Sequence, residues 1–393
     1  MPIDDDFETP TDETSLMLVR EISGFVRAGE LDRAEAVIRE RLDEQPRFAF
    51  GQLLLGIIFA HGKRFDEALE ACEAALAINP RLAPARLQIG RIHYDQDDHA
   101  KAREHVDAAL AMDPNLAGGQ LMLGLLAIEA NDLDAAETAL KDTLDIRPRH
   151  IAARLILADL YLDDGRIRKA IRLLKAVVKD RPESLIARQR LGRTLAAAGK
   201  LKDAVKVFEA AADHAPRPAR FHVLAGDVYR LLDRPTEAET AYEKALSLQP
   251  RFERARYGLS DTLIDQARYQ DALAALDDVL QRRIRNHAVH QRHGLILFGM
   301  GRNRDALNAF QAALRFDDSL IRRDPGLAAL LDRGDDAALR ETASRVRALL
   351  KPLFSLPDRE TRIRQRDFAM HFRQMMPRAH PLAANESSVQ ESA

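Results

Sequence analysis

The stretch His93-Tyr94-Asp95-Gln96-Asp97-Asp98-His99 gathers carboxylates and imidazoles within one turn, and these are the groups that hold divalent cations. A calcium loop would also need a glycine at its sharp bend and a glutamate further on, and neither stands at the required offset. The simpler reading is a capped turn in which Asp97 and Asp98 stabilise the start of a helix. His287 and His290 lie three apart, as metal-binding pairs on a helix do, but no second pair or carboxylate is fixed beside them by spacing. They sit in the densest basic stretch, Gln281-Arg282-Arg283-Ile284-Arg285-Asn286-His287, which continues through His290, Arg292 and His293. Such a run suits an acidic peptide or a phosphate, or is simply a solvated junction. The sole cysteine, Cys72, has no partner for an intrachain disulfide. No nucleophile, base and oxyanion donors recur at fixed spacing. The sequence has no Gly-rich phosphate loop, Gly-x-Ser-x-Gly turn or cysteine pair. The expectation is a chain that is not an enzyme and uses no cofactor or metal.

The elements that would position any site are set by a repeat. Pro46, Pro80, Pro114, Pro148, Pro182, Pro216 and Pro250 stand 34 residues apart, and Ala34, Ala68, Ala102, Ala136, Ala170, Ala204, Ala238, Ala272 and Ala306 keep the same step. Nine units follow, from Ser15 to about Leu320. In the second, Leu55, Gly56 and Phe59 recur at the spacing of one helix face (helix A), and so do Ala68, Cys72, Ala75 and Leu76 (helix B). Between the two helices stand Gly29, Lys63, Asp97, Asn131, Gly165, Gly199, Asp233, Ala267 and Gly301, mostly residues that tolerate a left-handed conformation and so read as the C-cap of helix A. The prolines fall after helix B, where a missing N–H is harmless. One helix A slot is kept small: Gly56, Gly90, Gly124, Ala158, Gly192, Gly226, Ser260 and Gly294. Glycine inside a helix costs roughly 1 kcal/mol relative to alanine, so a close helix contact is expected there.

This period, with its alanine and proline signature, resembles the tetratricopeptide repeat, a helix-turn-helix unit that stacks into a solenoid. The resemblance implies an all-α, right-handed superhelical solenoid with a C-terminal helical cap. It also implies that in the small slot helix B lies close, with its alanine as the other half of the contact. The slot often occupied by Trp in that family is polar here: Gln52, Arg86, Gln120, Arg154, Arg188, His222, Arg256 and His290. No unit supplies together the Lys and Asn that clamp a C-terminal carboxylate in some family members.

The resemblance further implies a concave face lined mainly by helix A. Carried over residue by residue, two slots seven apart pair Val19 with Val26, Leu53 with Ala60, Leu87 with Tyr94, Leu121 with Ile128, Leu155 with Leu162, Val223 with Arg230, and Tyr257 with Ile264. Between them lie Ile57, Arg91, Leu125, Asp159, Arg193, Asp227, Asp261 and Leu295. An amphipathic helix or extended peptide could lay apolar anchors along this stripe and be registered by its charges. The alternative is that helix A packs on the next helix A and buries much of the stripe.

Composition bounds the rest. Hydrophobic residues make up 46% of the chain, enough for a core shared between neighbouring repeats, and the formal net charge of −2 offers no general attraction to nucleic acid or anionic membrane. Residues 1–14 hold six acids and no base, and read as a disordered acidic tail or a partner-binding arm. The nine repeats span 15–320, a helical cap is expected over 321–376, and 377–393 reads as a disordered tail. Within that cap, Asp335 to about Phe354 reads as a helix carrying Leu339, Val346, Leu349 and Leu350 on one side. Asp358 to Met376 sets Ile363, Phe368, Phe372, Met375 and Met376 among arginines, which suits a cap, a partner helix or a membrane surface. No run reaches the roughly 18 apolar residues of a membrane span, and the N-terminus lacks the features of a signal peptide, so a cytoplasmic location is expected. Abundant Arg with little Lys points to a bacterial source. The sequence therefore predicts a non-enzymatic scaffold that binds a protein or peptide along its concave face. The alternative is a peripheral assembly factor for bacterial envelope or polysaccharide machinery, held at the membrane surface by its basic C-terminal helix. Partner identity and oligomeric state are not encoded in these patterns.

Overall fold

The computed structural model describes residues 13–282, 286–316 and 324–350. The segment 1–12, the expected helix 358–376 and the tail from Pro377 lie outside the described residues. Among these residues there are twenty helices and no strand. The helix A elements are α1 (Glu13–Ala28), α3 (Ala49–His61), α5 (Ala83–Asp95), α7 (Ala117–Glu129), α9 (Ile151–Asp163), α11 (Leu185–Ala197), α13 (Ala219–Leu231), α15 (Glu253–Asp265) and α17 (His287–Gly299). The helix B elements are α2 (Leu31–Glu44), α4 (Phe65–Ile78), α6 (His99–Met112), α8 (Leu133–Ile146), α10 (Ile167–Asp180), α12 (Leu201–Ala212), α14 (Pro235–Leu248), α16 (Tyr269–Gln281) and α18 (Asn303–Phe316). Two further helices follow, α19 (Gly326–Arg333) and α20 (Asp336–Leu349). They form two compact units, α1 to α9 and α10 to α20, so the fifth sequence unit gives its helix A to one and its helix B to the other.

Each helix A stops where the sequence predicts. All nine C-cap positions have a positive φ, from 55° at Asp233 to 77° at Gly29. The next amide then reaches back five residues: Arg64 N–H donates to the Phe59 carbonyl at 2.9 Å, and Arg268 N–H to that of Leu263 at 2.9 Å. This satisfies carbonyls that a helix end leaves open. Helix B starts are capped where the residue allows, with Asp98 and Asp132 accepting from the amides of Lys101 and Ala135. The capped-turn reading of the His93–His99 stretch therefore holds for Asp98, whereas Asp97 is the left-handed residue that ends helix A.

The small slot of helix A does receive helix B, but the fit differs from the expected alanine contact. The alanine contributes its carbonyl, Ala68 O lying 3.0 Å from where a Cβ on Gly56 would be. The space itself is taken by a larger side chain, Cys72 at this junction and Phe208 at the next unit's equivalent: a Cβ on Gly192 would sit 2.4 Å from Phe208 Cε1. Phe208, Tyr242 and Phe310, which face glycines in this way, are among the largest fully buried side chains. Burying an aromatic ring is worth more than the helix propensity that glycine forfeits. Burial also pushes the Cys72 thiol up to about 12, with Glu73 adding to it, so this thiol is core.

Two polar devices hold neighbouring turns and repeats. Where the family often has Trp, Arg188 Nε donates to the Pro182 carbonyl at 2.6 Å and Arg256 Nη2 to that of Pro250 at 2.9 Å, tying the start of helix A to the preceding turn. Between successive helices B, Glu35 pairs with Arg64 at 2.6 Å, Glu137 with Arg166 at 2.7 Å and Glu239 with Arg268 at 2.9 Å. These pairs recur every third repeat. At the end of the second unit, Leu327, Leu331, Leu339, Ala343 and Val346 of α19 and α20 join one apolar cluster with Leu297, Phe310 and Ala313. Asp335 caps α20, accepting from Ala338 N–H at 2.7 Å. No helix among the described residues is long and apolar enough to cross a membrane.

Candidate functional site

The residues expected along the helix A face divide by unit. In the first unit Leu53, Ile57, Leu87, Leu121, Leu125, Ile128, Asp159 and Leu162 are buried; Leu53 and Leu121 have no exposed surface at all. Those on α3, α5 and α7 pack as core because each of these helices lies against the helix A before it, which is the alternative the sequence left open. Arg91, Tyr94 and Leu155 are half-buried and give this unit's face what it shows to solvent. The Tyr94 hydroxyl donates to Glu129 Oε1 at 3.4 Å, and its ring lies 5.3 Å from that of His99.

In the second unit the slots of Ile57 and Ile128 hold charge at Arg193, Asp227, Asp261 and Arg230, while Val223, Ile264 and Leu295 remain buried and apolar. Asp261 is buried between two guanidiniums: Arg292 Nη2 donates to Oδ2 at 2.8 Å, with Arg292 Nε 2.7 Å from Oδ1, and Arg230 Nη1 donates to Oδ2 at 3.2 Å. Burial raises the Asp261 carboxyl above its usual range against the pull of Arg292 and Arg230. For Arg230, burial opposes the charge, but Asp261, assisted by Asp265, overrides it and holds the guanidinium above its ordinary range. Arg292 also stacks 4.7 Å over the ring of Tyr257. Burial, then Glu253, push the Tyr257 phenol up to about 12. One repeat earlier, buried Asp227 accepts from the hydroxyl of Tyr242 and from Arg254 Nη2, each at 2.8 Å.

Beside Asp227 the balance tips to positive. Arg193 is half-buried, its Nε enclosed without a hydrogen-bond partner, and no ion pair forms to it among the described residues. Desolvation, then Arg254 and Arg220, lower its pKa, while Asp227 works the other way. Arg220 is exposed and donates to Gln189 Oε1. Arg193 and Arg254 thus face one carboxylate, with the charge of Arg220 beside them.

Of these groups the sequence patterns bring out Arg193, Asp227, Arg230, Tyr257 and Asp261, and miss Arg220, Arg254, Arg292 as an internal ion partner, and Tyr242. A signal existed for two of them. The slot of Phe50, Pro84, Gly118, Ala152, Ile186, Arg220, Arg254 and Ala288 turns from small or apolar to arginine in two successive repeats. The basic run loses its independence: Arg292 belongs to Asp261, Arg282 bonds Asp278, and the His290 ring lies 5.1 Å from that of Phe316. Arg283 and Arg285 lie outside the described residues. No cluster of three or more His, Cys, Asp or Glu side chains suited to a metal occurs among the described residues.

A sequence profile described as Tetratricopeptide repeat matches residues 60–123, 127–187, 162–228 and 229–291, and a second profile of the same description matches 20–84. No curated protein matches the chain. Among solved structures, a tetratricopeptide repeat protein from Parabacteroides merdae is 20% identical, over 63% of this chain and 98% of that one, with a TM-score of 0.38. The APC/C hetero-tetramer Cut9-Hcn1 is 16% identical, over 65% of this chain and 50% of that one, with a TM-score of 0.46. The human IFIT1 dimer with PPP-AAAA is 18% identical, over 77% of this chain and 70% of that one, with a TM-score of 0.44. With the repeat profiles spanning well over half of its length and the helix pairs following the same period, the chain belongs to the tetratricopeptide repeat family.

Proposed function

We propose that this chain is a non-enzymatic scaffold that binds a protein or peptide partner along its helix A face, in keeping with a family whose members are generally protein-interaction scaffolds. One observation carries the reading. Where the helix A face is not core, it ends in arginine, tyrosine and aliphatic side chains: Arg91, Tyr94 and Leu155 in the first unit, Ile186, Arg193, Arg220, Arg254 and Tyr257 in the second. Arg and Tyr are enriched at protein interfaces, where they supply contact area and hydrogen-bond donors. The neutral overall charge favours protein over nucleic acid as the partner.

Native co-purification with paired variants tests this. Tyr94→Ala with Leu155→Ala, and Arg220→Ala with Arg254→Ala, should lose partners that a helix B control, Arg39→Ala with Arg103→Ala, retains. All variants should keep the wild-type helical circular dichroism. Partners lost equally from the control would remove the helix A face from the reading.

A further inference from the structure

The second unit carries a cationic cradle whose charge its own residues do not balance. Arg193, Arg220 and Arg254 come from successive helices A, α11, α13 and α15. Asp227 is the carboxylate beside Arg193 and Arg254, and it already accepts from Tyr242 and Arg254. Contrast the next cluster, where Arg230 and Arg292 enclose Asp261 and Arg230 has a second carboxylate in Asp265. In that cluster each guanidinium has an ionic partner. In the cradle Arg193 has none among the described residues, although it is half-buried and lies in the repelling field of Arg220 and Arg254. Arg220 spends one donor on a neutral amide, Gln189. Desolvation, then Arg254, lower Arg220 as well.

An unmatched guanidinium held in place is poised for an anion, because the cost of ordering and partly desolvating it has been met before the ligand arrives. The anion's setting is read from the same face. Ile186 lies on α11 two turns before Arg193, with Gln189 between them, and is 54% exposed, one of the most exposed large apolar side chains in the described chain. A free small anion has no use for such a neighbour; a peptide has.

We propose that Arg193, Arg220 and Arg254 bind the side-chain carboxylates of an acidic peptide segment, and that Ile186 takes an apolar side chain of the same segment. Guanidiniums pair carboxylates bidentately, and an extended segment with acids on either side of one aliphatic residue could span contributions from three successive repeats. Asp227 sets the register by repelling a carboxylate placed over it. A nucleic acid fits poorly, since it calls for a continuous basic track and this face interleaves Asp227, Glu253 and Asp261 with its arginines. This inference rests on the scaffold reading above and narrows it to a class of partner.

The probe is a fluorescent decapeptide of Asp and Glu with one central Leu, its N-terminus blocked and its C-terminus amidated, titrated by anisotropy against the full chain. Binding should weaken by about tenfold or more for Arg193→Gln and for Arg220→Gln, as loss of a charge-assisted bond implies, and by a few-fold for Ile186→Ala. Arg220 is exposed, so its variant keeps the test valid if Arg193→Gln misfolds. The Asn and Gln version of the peptide should not bind, and a free C-terminus should bind no tighter than the amide. Four results would overturn the proposal: no binding of the acidic peptide, binding indifferent to Arg220→Gln, tighter binding that depends on a free terminal carboxylate, or binding seen only after removal of residues 1–14. The last would make the chain's own acidic segment the occupant. Native partners lost with Arg220→Ala and Arg254→Ala while the acidic peptide fails to bind would keep the scaffold and remove the acidic class.

Discussion

The two units use the same helix A slots for opposite purposes. In the first, Ile57, Leu125, Ile128 and Leu162 are core, and in the second the equivalent positions include Arg193, Asp227, Asp261 and Arg230. Helix-to-helix packing in this repeat is satisfied by the small slot and the helix B side chain that faces it, a contact made at Gly56, Gly90, Gly124, Gly192, Gly226 and Gly294 alike. The remaining face is therefore free to differ from repeat to repeat. A stripe of leucines adds to the core. A stripe of charges adds little to stability unless it is closed into buried pairs, and leaves donors for a ligand where it is not.

The sharpest way to break this comparison is at the closed pair. Asp261→Ala leaves Arg292 buried without its carboxylate and should cost about 3–5 kcal/mol, read by urea unfolding. An effect close to zero would mean the charges of the second unit are solvated and the contrast is false. Leu121→Ala in the first unit should cost about 2–5 kcal/mol; a smaller loss than that of an exposed leucine would place its face in solvent. The rule shared by both units is tested by Gly192→Ala. Its Cβ would press on Phe208, so the variant should lose about 1–3 kcal/mol of stability despite alanine's better helix propensity.

Smaller effects sharpen the picture. The Arg166 hydrogen bond, against the opposing effect of burial and with help from Lys141, lowers the Glu137 carboxyl from 4.5 to about 2. A carboxylate with a depressed pKa stabilises the fold above its unfolded value and loses that contribution as pH falls toward the folded one. The stability gap between wild type and Glu137→Gln should therefore shrink from about pH 5 to about pH 3; a gap that widens on acidification would contradict the pairing. The smallest change is a gain. Ala267 holds φ 57° at a C-cap where most other repeats place Gly, Asn or Asp, so Ala267→Gly should raise stability by about 0.5–1 kcal/mol in thermal unfolding.

Much of this architecture was legible in the sequence because backbone punctuation is local. The prolines, the nine left-handed caps from Gly29 to Gly301 and the small slot each state what their own turn requires. The exposure of Leu121 was not legible, since helical periodicity marks a face without saying whether another helix lies against it. Nor was the role of Arg292. In the sequence it belongs to a basic run, but it turns inward to Asp261, 31 residues away in the chain. Arg220 and Arg254 escaped notice because the repeat slot they occupy is small or apolar elsewhere, so their meaning appears only when Arg193 and Asp227 are seen beside them.

Whether the arginines of the second unit carry more of the partner binding than Tyr94 and Leu155 of the first is tested most directly by comparing the native partners recovered with two double variants of the full chain, Tyr94→Ala with Leu155→Ala and Arg220→Glu with Arg254→Glu. Partners should fall away much further with the arginine pair reversed, with helical circular dichroism unchanged in both. Loss confined to the Tyr94 and Leu155 variant, with full recovery by the charge-reversed chain, would contradict the account.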